Sequence, residues 1–178
     1  MGYLTPCQAA VAAAGILCYG SVFTLLSTVS SQLTPQQIAE RCAAAMWPDD
    51  HAAQGLGIEL VEVGAGTARM RMTVRQDMVN GHGNCHGGFI FALADTNFAY
   101  ACNSFNHRAV AADVDISFVA PARLGDVLVS QAIVRHQGGR NGVYDIEVEN
   151  REGQLIALFR GRSTRVKGHF FVADGAHV

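Results

Sequence analysis

The chain has 178 residues, which is enough for one domain with a substantial core and too few for two domains of ordinary size. Hydrophobic residues make up 49% and charged residues 16%, which is typical of a soluble globular protein. The formal net charge of −2 lacks the basic excess that marks most nucleic-acid-binding proteins, so we expect no nucleic acid partner. The five cysteines are scattered without C-x-x-C pairs, which predicts reduced thiols in a cytoplasmic protein.

The first 39 residues carry no charge, and the stretch VAAAGILCYGSVFTLLSTV has the length of a membrane or secretory segment. No Lys or Arg precedes it, so the basic region of a signal peptide is missing, and Gly, Ser and Thr dilute its apolar character. A signal or anchor remains an alternative. We expect residues 1–33 to be an apolar extension, disordered or not part of the domain, and we expect no membrane contact.

The domain is predicted to span residues 34–168, with a C-terminal tail at 169–178. It opens with a helix, because Thr34 is suited to the N-cap position, Pro35 to the first helical position and Gln37 to the third. The segments LGIELVEVG and TARMRMTVR then alternate apolar and polar residues around a glycine turn, which predicts an antiparallel pair of strands.

A run from about Gly87 to Asn103 is too long for a strand and is apolar on nearly all sides, which predicts a buried helix. Four more strand-like segments follow: AVAADVDISFV, DVLVSQAIVRH, GVYDIEVENR and QLIALFRGRSTRV. Strands that meander need no crossover helices, so the sheet is predicted to be antiparallel. The expected fold class is α+β, with one long helix lying across one face of the sheet.

One carboxylate, Asp95, falls inside this apolar helix. A buried charge is costly unless it finds donors or raises its pKa, so Asp95 is either a hydrogen-bonded structural residue or a functional one. The preceding GHGNCHGG loop favours function, because Gly87 and Gly88 place unobstructed amide groups at the start of the helix. Such groups can bind an anion or a developing oxyanion.

Gly87 and Asp95 are separated by eight positions, or about 12 Å along a helix axis. Groups that react with the same carbonyl must lie about 3 Å apart, so one helix cannot present both to one substrate. If both residues are catalytic, they come from antiparallel helices of two subunits. The sequence therefore predicts a site at a dimer interface.

The segments NGHGNCHGGFIFALADTNFAYACNS, FVAPARLGD and RHQGGRNGVYDIEVENREGQLIALFRGRS resemble the hotdog-fold thioesterases of bacterial phenylacetic acid degradation. The resemblance implies a long central helix wrapped by an antiparallel sheet, dimers joined edge to edge that pair into homotetramers, and an acyl-CoA substrate with no separate cofactor. It places the catalytic acid on Asp95, the oxyanion amide on Gly87, a histidine on His86 and a loop asparagine on Asn80. Where some relatives hold the water with Ser or Thr, this chain has Asp113 and Asp115.

The resemblance also implies aryl-acetyl-CoA substrates such as phenylacetyl-CoA and its hydroxylated forms, with medium-chain acyl-CoA as an alternative. An aryl slot is expected from the helix aromatics Phe91, Phe98 and Tyr100, with Asn80 and Met78 near the loop. The alternative for these same residues is a plain core role, because aromatics on a buried helix pack whatever the ligand. Further candidates for substrate binding are Gly88 and His82 in the loop, and Arg140 and Arg162 for the CoA phosphates.

Three other hypotheses remain. His82, Cys85 and His86 cluster as metal ligands might, but no fourth ligand has convincing spacing, so we expect no metal. Asp77 and His82 have the spacing of an enoyl-CoA hydratase acid–base pair without its surrounding motif. A non-catalytic acyl-CoA-binding hotdog protein would need no acid at Asp95.

Overall fold

In the computed structural model, the described part of the chain comprises residues 32–172. The predicted extension at 1–33 and the far end of the predicted tail therefore lie almost entirely outside the described residues. Within residues 32–172, no helix is both long enough and apolar enough to cross a bilayer.

The domain begins with helix α1 (Pro35–Met46), as predicted. The Thr34 hydroxyl accepts a hydrogen bond from the Gln37 amide, and the Gln37 side chain accepts one from the Thr34 amide. This reciprocal capping box satisfies two amide groups that would otherwise be unpaired at the helix start. A short helix α2 (His51–Leu56) follows, which the sequence did not predict. Gly57 ends α2 in the left-handed region, with φ of 70°.

Residues 32–172 form one antiparallel sheet of six strands. The strands are β1 (Glu59–Gly64), β2 (Thr67–Thr73), β3 (Ala109–Phe118), β4 (Val127–Gly138), β5 (Asn141–Glu149) and β6 (Leu155–Arg165). Their order is β1-β2-β4-β5-β6-β3. The predicted antiparallel pairing is confirmed, but the chain does not follow a simple meander. It leaves β2 through a long helix, reaches the far edge with β3, and then returns to pair β4 with β2.

Helix α3 (Gly87–Asn103) makes that crossing and packs on the sheet, in contact with β2 to β6. Its buried residues, among them Leu93, Phe98 and Tyr100, join the inward side chains of the strands in one hydrophobic core. The Phe98 ring packs edge-on against Tyr144 and tilted against Phe159. Gly161 on β6 permits this packing, because a Cβ there would lie 2.8 Å from the Phe98 ring.

The C-terminal end of α3 is held by side chains that bond to the backbone. Asn103 donates to the carbonyl oxygens of Ala99 and Ala109, and it accepts from the Ala109 amide. The buried Ser104 hydroxyl donates to the Ala101 carbonyl and accepts from the Gly66 amide. These bonds tie the end of the helix to the start of β3 and to the β1–β2 turn.

Residues 168–171 also contact this end of the domain. Asn106, at φ of 56°, accepts hydrogen bonds on its side-chain oxygen from the amides of Phe170 and Phe171. The Arg108 guanidinium lies over the Phe170 ring, and Arg41 lies over the Phe171 ring. The first residues of the predicted tail thus pack against the segment that links α3 to β3.

Candidate active site

The glycine-rich loop before α3 is ordered by Asn80. Its side-chain oxygen accepts hydrogen bonds from the amides of His82 (2.9 Å) and Asn84 (3.2 Å). The Asn80 backbone amide donates to the Asn84 carbonyl, which closes the turn. An asparagine that bonds to its own loop in this way fixes the turn without regular secondary structure. Its oxygen is therefore used inside the loop, and its side-chain NH₂ is the polar group left for other contacts.

The start of α3 leaves one amide available. His86 occupies the N-cap position, and its Nδ1 accepts a hydrogen bond from the Gly88 amide at 3.3 Å. The Phe89 amide bonds to the His86 carbonyl. The Gly87 amide has no hydrogen-bond partner within residues 32–172. Of the two glycine amides predicted to be open, Gly88 is used by the cap and Gly87 remains for a ligand.

Gly87 lies beneath an aromatic ring. A Cβ built at Gly87 would lie 2.9 Å from Cζ of Phe118, so any side chain there would displace the ring. Phe118 ends β3, and 53% of its surface is exposed. Phe118 is not among the residues predicted from the sequence, where the available signal was a large aromatic at the end of a strand, just before the APA turn.

Gly87 and Phe118 belong to a groove of about 510 Å³. Asn80, Asn84 and the Gly87 backbone supply its polar groups, and apolar residues supply most of the remaining wall: Ile90, Phe118, Val119, Ala120, Pro121 and Ala122. An apolar cleft with a few convergent polar groups is the usual form of a small-molecule site. A smaller cavity of about 280 Å³ on β3, β5 and β6 is lined by the charged side chains Asp115, Asp145, Glu147 and Arg160, none of which was predicted to be catalytic.

Cys85 also lines the groove, but its surroundings do not favour a role as nucleophile. Burial raises the pKa of its thiol to about 11, with a further contribution from the nearby Asp126 carboxylate. The thiol is therefore protonated near neutral pH, and the thiolate is the reactive form.

Asp95 is half-buried on α3 and does not line the groove that contains Gly87. Burial raises the pKa of its carboxyl group above the ordinary value of 3.8. Its side chain has no hydrogen-bond or ion-pair partner within residues 32–172. In one protomer, then, the acid and the open amide are separated along the helix.

The other predicted site residues lie in different surroundings. His82 is exposed in the loop, and Phe91 is half-buried with its ring against Phe159. Arg140 is exposed in the β4–β5 hairpin.

Arg162 forms an ion pair with Asp113 on the neighbouring strand, so its predicted role in phosphate binding loses support. Phe98, Tyr100 and Met78, considered for an aryl slot, are buried in the core and do not line the groove.

The structure also bears on the competing hypotheses. Asp77, the proposed hydratase acid, forms an ion pair with Arg75 at 3.1 Å, and the hydrogen bond from Arg75 lowers the pKa of that carboxyl. An acid held in its charged form by an arginine is poorly suited to donate a proton. Within residues 32–172, no three His, Cys, Asp or Glu side chains gather in an arrangement that could hold a metal ion.

Comparison with known proteins places this chain in a family. The Thioesterase superfamily model matches residues 82–157, a range that begins in the loop and includes all of α3. The chain is 50% identical over 126 residues to the acyl-coenzyme A thioesterase PaaI of Escherichia coli strain K12, covering 71% of this chain and 90% of that protein.

Solved structures agree with that assignment. The E. coli PaaI protein from the phenylacetic acid degradation operon matches with a TM-score of 0.75 and 47% identity, over 76% of this chain and 99% of that one. The smu.793 protein of Streptococcus mutans UA159, solved with acetyl-CoA bound, matches with a TM-score of 0.61 and 25% identity, over 63% of this chain and 90% of that one. The predicted hotdog fold is thus confirmed, and the chain belongs to the PaaI-like hotdog thioesterases of the Thioesterase superfamily.

Proposed function

We propose that the protein hydrolyses the thioester of aryl-acetyl-CoA, releasing the free acid and CoA, at a site shared by two protomers. The observation that carries this proposal is the unpaired Gly87 amide in an apolar groove, together with a half-buried carboxyl group on the same helix. An amide donor can stabilise the oxyanion of thioester hydrolysis, and a carboxylate can activate the attacking water or attack the carbonyl itself.

The separation of these groups supports a shared site. Asp95 is outside the groove that contains Gly87, and eight residues of helix place it about 12 Å further along the axis. Two antiparallel α3 helices, one from each protomer, would bring Asp95 of one next to Gly87 of the other. Strand β3 forms one edge of the described sheet, bonded on one side to β6, and its other side is suited to pairing with a second copy. A homodimer is therefore the minimum active unit, and a homotetramer of two such dimers is the expected assembly.

In the proposed mechanism, the thioester carbonyl oxygen accepts a hydrogen bond from the Gly87 amide. The Asp95 carboxylate either removes a proton from a water that attacks the carbonyl carbon, or attacks that carbon itself to form an anhydride that water then opens. In both routes the C–S bond breaks, the sulfur leaves with its electron pair, and a proton converts it to the CoA thiol. No metal or other cofactor takes part.

His86 and Asn80 act by holding the donor in place. The His86 ring caps α3, and Asn80 fixes the loop that leads into it, so that the Gly87 amide is directed into the groove. Asn80 lines the same groove, and its NH₂ group is proposed to donate to the substrate carbonyl or to the attacking water.

The mechanism is tested by replacing Asp95 with Asn, which preserves the shape of the side chain and removes the carboxylate. We expect turnover of phenylacetyl-CoA to be abolished while the substrate still binds. Activity close to the wild-type level in Asp95→Asn would contradict the proposal. Single-turnover hydrolysis of the wild type in ¹⁸O-water separates the routes, since label enters the protein carboxylate only if an anhydride forms.

The aryl preference is supported by the exposed Phe118 ring, which offers a flat apolar wall next to Gly87. Apolar pockets discriminate weakly, by about 10- to 200-fold per methylene, so chain length must be tested directly. We expect kcat/KM for phenylacetyl-CoA to exceed that for decanoyl-CoA. A preference for decanoyl-CoA by more than tenfold would reject the aryl assignment and leave the thioesterase assignment intact. We also propose a cytoplasmic location, where acyl-CoA substrates are made.

A further inference from the structure

We propose that Arg108, Arg140, Arg165 and Lys167 form the site that binds the phosphates of the CoA substrate, on the same protomer that supplies Asp95. This inference rests on the proposed thioesterase function, and it names the part of the chain that recognises the nucleotide end of the substrate.

Ion pairing divides the basic residues of the domain into two groups. Several arginines on the sheet and beside it are neutralised by a carboxylate: Arg71 by Glu59, Arg75 by Asp77, Arg135 and Arg160 by Asp145, and Arg162 by Asp113. The second group has no carboxylate within 4 Å among residues 32–172, and it includes Arg108, Arg140, Arg165 and Lys167. Their charges are therefore available to an anion from outside the chain.

Backbone bonds hold these four residues together at one end of the sheet. Arg165 pairs with Ala109 across the β3–β6 ladder, and its amide bonds to the Arg140 carbonyl at 2.7 Å. Lys167 lies between Val166 and Gly168, both of which bond to the backbone of Arg108. We call this group of four the basic cluster.

The local electrostatics agree with an accumulation of positive charge. His107 is adjacent to Arg108, and the pKa of its imidazole is lowered mainly by burial, with further contributions from Arg165 and His169. A single phosphate near the basic cluster would relieve this repulsion. Arginine presents a planar fork of donors that matches phosphate oxygens, and CoA carries a diphosphate and a 3′-phosphate.

The distance from Asp95 to the basic cluster can be spanned by the pantetheine part of CoA. Asn103 lies eight residues beyond Asp95, about 12 Å along α3, and its side chain bonds directly to Ala109, the neighbour of Arg108. Gly87 of the same helix is sixteen residues from Asn103, about 24 Å away. A thioester placed at Asp95 can therefore extend its pantetheine arm toward the basic cluster of that protomer, while the partner supplies the Gly87 amide.

A purely structural role is the competing explanation. Cations near the C-terminal end of a helix are stabilised by the helix dipole, and the basic cluster lies near the end of α3. That role would appear in protein stability and not in the recognition of phosphates.

The test compares two substrates of the same acyl group, phenylacetyl-CoA and phenylacetyl-pantetheine, which lacks all of the phosphates. For the double variant Arg165→Gln/Lys167→Gln, we expect KM for the CoA ester to rise about tenfold, equivalent to one lost charge-assisted hydrogen bond. We expect kcat to stay within about twofold, and KM for the pantetheine ester to be unchanged. Increasing NaCl should raise KM for the CoA ester in the wild type and less so in the variant, because salt screens exposed charges.

Arg151→Gln is the matched control, because Arg151 is also exposed and unpaired within residues 32–172 but lies in the β5–β6 turn, at the opposite end of these strands. Its KM values should match the wild type. A KM for phenylacetyl-CoA that rises in Arg151→Gln and not in the double variant would place the phosphates at the other end and overturn the proposal. Equal changes of KM for both esters, or a lower Tm with no change in KM, would overturn it in favour of a structural role.

Affinity for CoA itself, measured by calorimetry, separates this proposal from the function on which it rests. A wild-type protein that binds CoA through the basic cluster but hydrolyses no thioester would disprove the proposed function alone. A protein that hydrolyses phenylacetyl-CoA with a KM insensitive to the cluster substitutions would disprove the phosphate site alone.

Discussion

The two ends of α3 are built in opposite ways. At the C-terminal end, Asn103 and Ser104 are buried, and their side chains bond to the backbone of α3, of the start of β3 and of the β1–β2 turn. At the N-terminal end, Gly87 and Gly88 lack side chains, the flanking groove is open, and one amide is left without a partner in the described chain. One end maximises internal bonding and stability, and the other leaves bonding capacity for a substrate. Substitutions at the two ends should therefore affect different measurements.

The largest effect is expected on stability at the C-terminal end. Asn103→Ala removes the donor that bonds to the carbonyl oxygens of Ala99 and Ala109. It also leaves the Ala109 amide without its hydrogen bond. Because these groups are largely buried, the free energy of unfolding should fall by about 2–4 kcal/mol. Urea unfolding followed by circular dichroism measures this change. Asn150→Ala removes similar bonds in an exposed turn and should cost about 1 kcal/mol or less. Equal losses in both variants would show that burial of Asn103 has no special importance.

The next effect is on catalysis at the N-terminal end. Gly87→Ala places a Cβ 2.9 Å from the Phe118 ring, so the ring or the start of the helix must shift. Displacement of about 1 Å at a reacting centre costs about 100-fold, and we expect kcat/KM for phenylacetyl-CoA to fall by about 10- to 100-fold with little change in Tm.

Gly88→Ala provides the comparison for that variant. Its Cβ would meet only Nδ1 of His86 at 3.7 Å, which is ordinary contact, so the loss of activity should be clearly smaller. If Gly88→Ala is as damaging as Gly87→Ala, the contact with Phe118 is not what makes Gly87 necessary.

A smaller effect, at His86, should appear both in stability and in catalytic rate. His86→Ala removes the side-chain cap of α3 and frees the Gly88 amide. The loss of an N-cap costs about 1 kcal/mol of stability, and the loosened helix start should also lower kcat. His82→Ala serves as the control, because the His82 side chain is exposed and makes no hydrogen bond within residues 32–172. Thermal unfolding and kcat should both be unchanged in that variant.

The smallest effect concerns Asp95, whose carboxyl group has a pKa raised by burial. A raised pKa means that folding favours the protonated form, so the charged form reduces stability above the folded-state pKa and has no effect below the ordinary value of 3.8. Asp95→Asn should therefore raise Tm slightly at pH 7, and the difference should disappear as the pH falls below 3.8. Scanning calorimetry across this range tests the sign. In the wild type, the acidic limb of kcat/KM should lie above pH 3.8 for the same reason. A lower Tm for Asp95→Asn at pH 7 would indicate that the carboxylate is stabilised by a partner.

Local patterns predicted much of this architecture. The capping box at Thr34, the bounds of α3 and each of the six strands follow from spacing and turn residues close together in the sequence. The sheet order does not follow from such patterns, because the position of β3 beyond β6 depends on where α3 carries the chain.

The site was predicted less completely, because its details depend on contacts between distant residues. The loop motif indicated Gly87 and Asp95, but which glycine amide is used depends on the orientation of the His86 ring. The pairing of Arg162 with Asp113 joins residues 49 positions apart, and Phe118 reaches Gly87 from another element. No local pattern specifies these contacts.

The exposed edge of strand β3 also bears on the aggregation of the chain. This ten-residue strand is bonded to β6 on one side, so only the N–H and C=O groups on its other side lack strand partners in the described chain. With Val110 and Phe118 exposed on the same strand, such an edge is a template for non-specific β aggregation. Asp113 and Asp115 lie near the middle of this edge and are exposed. Charges at such positions act as gatekeepers, because a foreign strand that pairs there must bring carboxylates close to its own side chains. In the proposed dimer, the two acids would therefore disfavour non-specific pairing at this edge, while a second copy whose arginines or register can accommodate them could still pair there.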